Sequence, residues 1–97
     1  MKKDAITVKK KDNVATALRD IQADKKVLAA DPDGSTREIV VLEHIPSGHK
    51  FALKNIRAGA AVIKYGEVIG SATEAIAKGR HAHVHNIESL RGRGDLK

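Results

Sequence analysis

A chain of 97 residues without a cysteine has room for one modest core and no means to make a disulfide, a thiolate metal site or a cysteine nucleophile. Its formal charge of +6, from 18 basic and 12 acidic residues, suits an anionic partner: nucleic acid, an acidic protein surface or a carboxylate substrate. One Phe, one Tyr and no Trp make the core aliphatic and count against a base-stacking module, so no specific nucleic-acid partner is expected.

The start, MKKDAITVKKKD, lacks the apolar run of a signal peptide. No stretch approaches the roughly 20 apolar residues of a membrane span, so the expectation is a cytoplasmic protein with no membrane partner. Residues 5–8 (AITV) read as a short first strand. In residues 12–21, Val14, Ala17, Leu18 and Ile21 fall on one helical face and Asp12 stands at the N-cap position, which predicts a helix. Residues 25–30 and 37–42 are apolar, partly β-branched runs on either side of DPDGST, a hairpin signal.

A phrase then recurs three times: IPSGHKFAL from Ile45, IRAGAAVIK from Ile56 and IAKGRHAHV from Ile76. Each is Ile-x-x-Gly followed by a strand-like run, as expected of a turn whose Gly takes a positive φ while the Ile fills the core beneath. The irregular spacing excludes a solenoid and predicts repeated corners of one compact β-rich domain. Residues 71–78 (SATEAIAK) suggest a second short helix, with Ser71 as cap and Glu74 completing a capping box. Residues 87–97 are polar and basic and predict a tail, flexible or ordered by a partner. The fold class is thus mainly β with one or two short helices, in a single domain whose core runs from about 5 to 86.

The chemistry concentrates in GRHAHVHN, residues 79–86. His81, His83 and His85 alternate with Ala82 and Val84, the period of a strand with imidazoles on one face and a packing face on the other. Adjacent members of such a series sit roughly 6.5 to 7 Å apart at their bases, near enough to share one divalent ion, whereas the outer pair is about twice as far. The metal candidates are therefore two of the three, with His49, on another strand, as an additional imidazole. Imidazole and oxygen ligands suit Fe(II), Mn(II) or Zn(II). A solvated strand face, metal binding, and anion or general acid–base use all remain open from spacing alone. In KYGEVIG, Lys64 and Tyr65 are candidates for holding a carboxylate with Gly66 permitting close approach; the alternative is a packed Tyr and turn glycines.

DNVATAL, IPSGHKFAL, AVIKYGEVIG, AIAKG and HAHVHN, in that order, resemble the SAF domain of the altronate and galactarate dehydratase family over about residues 12–86. The resemblance implies a β-clip fold of short bent strands, either joined to a large catalytic domain or made as a separate small subunit. The latter is the expectation for this chain. Carried over by position, the family's His-x-His-Asn falls on His83, His85 and Asn86, its Gly-His-Lys on Gly48, His49 and Lys50, and its Lys-Tyr-Gly on Lys64, Tyr65 and Gly66. His81 lies where the family varies.

The resemblance implies a metal-dependent hydro-lyase acting on a sugar acid such as altronate or galactarate, with Fe(II) or Mn(II) as cofactor, inactive without its large subunit. His83, His85, Asn86, Lys64 and Tyr65 are the catalytic candidates, His83 and His85 the metal ligands, and His49, Lys50 and Gly66 the substrate-binding residues. A branch that removes sulfite from sulfolactate is the alternative, and a non-catalytic metal- or anion-binding module the rival of another class. The expected partners are a large lyase subunit and an anionic hydroxy acid, with a second copy of the chain also open.

Overall fold

The computed structural model describes residues 3–89. They form β1 (Ala5–Ile6), β2 (Val14–Ala17), β3 (Lys26–Ala30), β4 (Thr36–Val40), β5 (Lys50–Ala52), β6 (Ala61–Lys64), β7 (Glu67–Ala72), β8 (His81–Ala82) and β9 (Ile87–Ser89). A six-stranded sheet runs β4-β3-β1-β2-β5-β8, and a three-stranded sheet runs β6-β7-β9. The β1–β3 pair is parallel and the remaining pairs are antiparallel. The expected hairpin is β3–β4, closed by DPDGST, with Val27 opposite Ile39. No helix of the described residues is long and apolar enough to cross a membrane.

Both expected helices are replaced by extended chain, so the described residues are all β. Asp12 caps nothing helical. Its carboxylate accepts hydrogen bonds from the amides of Val8, Lys9, Tyr65 and Gly66, tying the loop before β2 to the β6–β7 turn. Val14–Ala17 becomes a central strand, between β1 and β5, because each of its faces meets a core. Ala15 and Ala17 join one apolar cluster with Phe51, Ile21 and Ile45; Val14 joins another with Ala52, Ile56 and Ile76. Apolar residues on both faces of a buried strand imitate a helical stripe, and Leu18, a member of the expected stripe, is 45% exposed. In the second case Ser71 and Ala72 continue β7, and Ile76 is taken by a bridge to Ile56.

The three Ile-x-x-Gly corners are present, and among the described residues there is a fourth corner of the same shape. Ile45, Ile56 and Ile76 are buried while Gly48, Gly59 and Gly79 have φ of 83°, 85° and 90°. The fourth is Ile21-Gln22-Ala23-Asp24, where Asp24 takes φ 67° in the glycine's place. Corners pair reciprocally, Ile21 with Ile45 and Ile56 with Ile76, each exchanging two amide–carbonyl bonds. The last residue of every corner donates its amide to the residue four before the partner's Ile: Asp24 to Val41, Gly48 to Ala17, Gly59 to Ala72 and Gly79 to Ala52. Two corner pairs of one design thus build the two cores.

The first residues of the expected tail, 87–89, are ordered within the fold. Ile87–Ser89 pairs with β7 as β9, and residues 90–97 lie outside the described residues.

Candidate metal and substrate site

The histidine segment is not one strand. His81 and Ala82 form β8 against β5, with Lys50 opposite Ala82, and the chain then turns through 83–86. Asn86 closes this turn: its amide and that of Ile87 donate to the His83 carbonyl, its Oδ1 accepts from the His83 amide at 2.9 Å, and its Nδ2 donates to the His81 carbonyl at 2.9 Å. Ala82 is buried as expected. Val84 is 82% exposed instead of packed, because the turn carries it off the sheet.

One pairing step beyond Lys50 and Ala82, His49 stacks on His83 with ring centroids 4.1 Å apart. His81 lies against both, 5.0 Å from His49 and 5.4 Å from His83, and His49 Nδ1 is 2.9 Å from His81 Nε2. His49, His81 and His83 each offer a nitrogen within 4.8 Å of the others. The turn also folds His85 back to 5.1 Å from His81, where a flat strand would hold those rings far apart. The grouped imidazoles are therefore His49, His81 and His83. His83 borders a hollow of about 180 Å³ with Lys50, Ile69, Val84, Ile87 and Ser89. His85 and Asn86 instead border a wider one of about 790 Å³ with Arg57 and Arg80.

Electrostatics matches this packing. Burial, then the neighbouring imidazoles, hold His81 below the usual histidine pKa, and burial, His49 and Lys50 do the same to His83. His83 Nδ1 is buried with no hydrogen-bond partner among the described residues, a rare condition for a ring nitrogen. Three partly buried imidazoles with nitrogens this close, one of them unpartnered, are what a divalent metal ion takes as ligands, so the donor set fits such an ion.

Beside the cluster stands a cationic group. Lys50 is half-buried; burial, then Lys64, pushes its pKa down. Lys64 Nζ donates to the Tyr65 hydroxyl at 2.7 Å and lies over its ring. Tyr65, 53% exposed, does not pack into a core. With Gly66 it forms the two-residue β6–β7 turn, both at positive φ, the backbone of a tight hairpin. Thus Lys50 adjoins His83, Lys64 and Tyr65 lie on the far side of Lys50 and pair with each other, Gly66 supplies the turn, and Asn86 shapes the histidine segment from within. The alternation names His81 as one of three imidazoles and the family pattern then leaves it out of the site; Glu43, whose Oε2 accepts the His81 amide at 3.0 Å, is not a candidate from sequence. No spacing signal marks Glu43, 38 residues away in the chain.

The family described as the altronate/galactarate dehydratase SAF domain matches residues 3–90. An altronate dehydratase of Bacillus subtilis (strain 168) is 40% identical over 87 residues, 90% of this chain and 16% of that protein. An altronate dehydratase of Escherichia coli (strain K12) is 44% identical over 78 residues, 80% of this chain and 15% of that protein. The chain therefore spans only a small part of these dehydratases. A (2R)-sulfolactate sulfo-lyase subunit alpha of Paracoccus pantotrophus is 42% identical over 59 residues, 61% of this chain and 88% of that subunit. With nearly the whole described chain matched, the protein belongs to the altronate/galactarate dehydratase SAF domain family.

Proposed function

We propose that this chain is the small subunit of a hydroxy-acid lyase, acting with a large catalytic chain to dehydrate a sugar acid of the altronate or galactarate type. The observation that carries this reading is the family match over residues 3–90, on a chain that sets the Lys50 ammonium beside His83. Dehydration breaks the C–H bond next to a carboxylate and the C–O bond on the adjacent carbon; the hydroxyl leaves as water and the enol becomes a keto acid. Lys50 and Lys64 supply positive charge for the carboxylate. An imidazole of the cluster supplies a lone pair that takes up the proton. A divalent ion, Fe(II) or Mn(II), held by the histidine cluster would polarise the carboxylate or hydroxyl. A chain of 97 residues has too little bulk to enclose such a site alone, so the large chain provides most of its walls.

The 88% coverage of a sulfo-lyase alpha subunit favours sulfite elimination from sulfolactate as a second reading, since the same proton abstraction then expels sulfite. The test is reconstitution with the large lyase chain of the same source, following keto-acid formation from altronate and galactarate and sulfite release from sulfolactate. Turnover is expected only from the pair. Substantial turnover by the small chain alone, or full activity of the large chain without it, would overturn the proposal, and sulfite release without dehydration would replace it by the second reading.

A further inference from the structure

We propose that His49, His81 and His83 together form a three-imidazole binding site for one divalent first-row metal ion, with His85 outside the ligand set. The triad differs from the pair suggested by the family pattern, His83 and His85, and its geometry argues for the difference. Two nitrogens bound to one ion at about 2.0–2.1 Å lie roughly 2.9 Å apart at right angles and about 3.3 Å apart at the tetrahedral angle. His49 Nδ1 and His81 Nε2 are already 2.9 Å apart. His83 offers a third nitrogen within 4.8 Å of those of the other two, and its ring, stacked at 20° on His49, has to turn out of the stack to aim that lone pair at a shared ion.

The unpartnered, buried His83 Nδ1 is an independent observation. A stacked imidazole cluster held together by hydrogen bonds alone would leave that nitrogen unsatisfied, at a desolvation cost that a bound cation removes. The backbone is also prepared for ligation. Glu43 holds the His81 amide and Asn86 spans the His81 carbonyl and the His83 amide, so two of the three ligands come from a pinned segment. Supporting bonds of this kind orient metal ligands in established sites. Three protein nitrogens leave coordination positions open for water or a carboxylate ligand. An all-imidazole set favours Zn(II) and Fe(II) over Mn(II) and disfavours Mg(II) and Ca(II), which take oxygen.

This site rests on the chain's own residues, and binding is measured without the lyase partner, so failure of either proposal is separable from failure of the other. Tag-free chain is stripped with chelator and titrated with Co(II), followed by its visible absorption, and with Zn(II) by calorimetry. One ion per chain is expected. His49→Ala, His81→Ala and His83→Ala should each weaken binding by about 100-fold, while His85→Ala stays within about threefold. Circular dichroism of each variant without metal checks the fold, and the milder His81→Gln stands in should His81→Ala unfold. Paramagnetic broadening by Co(II) of the His49, His81 and His83 ring resonances in the unmodified chain gives a readout that needs no variant. Absence of stoichiometric binding would overturn the site, as would a loss in His85→Ala equal to that in His81→Ala.

Discussion

Asp12 shows how one side chain substitutes for regular structure. Its buried carboxylate collects four amides from two loops that no strand pairing joins. Burial pushes this carboxyl up, but the bonds from Gly66, Lys9, Val8 and Tyr65 outweigh it and the pKa lies below its ordinary 3.8. Asp31 is also lowered, chiefly by Arg37, with burial opposing and Thr7 and Ser35 assisting. A carboxyl whose pKa is depressed in the folded state stabilises above its unfolded value and ceases to do so as pH falls through the folded value. Urea unfolding should therefore show stability steady down to about pH 4 and falling below it. Asp12→Ala should cost about 2–3 kcal/mol near neutral pH, by stranding amides that the carboxylate satisfies. It should also flatten the acid limb, and an unchanged limb would mean that Asp12 is not among the groups that set it.

At the scale of elements, the corner is the repeating unit, and its glycines do not all do the same work. Gly48 has φ 83° with nothing within 4 Å of an added Cβ, whereas at Gly79, φ 90°, the Cβ would lie 2.2 Å from the Val40 carbonyl oxygen. Gly48→Ala should cost about 1–2 kcal/mol, from the left-handed backbone alone. Gly79→Ala should cost about 3 kcal/mol or more, since the β4 end must also move. Thermal melts of the two variants check the ordering, and equal losses would mean that the Val40 contact relaxes freely. The same unit explains which corner escaped sequence reading: at 21–24 an Asp tolerates the positive φ, so the Gly that marks the other three is missing. It also explains why residues 71–78 are not helical. The capping pattern competes there with Ile76, whose pairing to Ile56 satisfies backbone groups at both corners.

For the whole molecule, β2 and β5 join the two cores. Phe51 and Leu53 pack in the first cluster while Ala52, between them, packs in the second. His49 and Lys50 lead into the same strand, so the site is anchored where the cores meet. Phe51, at 0% exposure, is the largest fully buried side chain. Phe51→Ala should cost about 3–5 kcal/mol. Far-UV circular dichroism, β-dominated throughout, and Co(II) absorption should then be lost in one transition. Two resolved transitions would show that the cores fold independently.

The sequence by itself determined a β-rich fold with a mostly aliphatic core, three of the four corners, the β3–β4 hairpin and the segment that supplies two of the three grouped imidazoles. Each of these depends on a local rule: alternation, a turn residue, or a Gly whose φ only Gly adopts cheaply. The tertiary structure alone decided that residues 12–21 are extended, because a helical stripe and a strand buried on both faces share the same apolar positions, and only β1 and β5 on either side distinguish them. It also decided which imidazoles meet. The alternation of His81, His83 and His85 predicts a flat face, but Asn86 bends the chain after Ala82. His49 then arrives from β5, with His81 and His83. A shared site between residues more than 30 positions apart depends on strand pairing, which no local spacing contains.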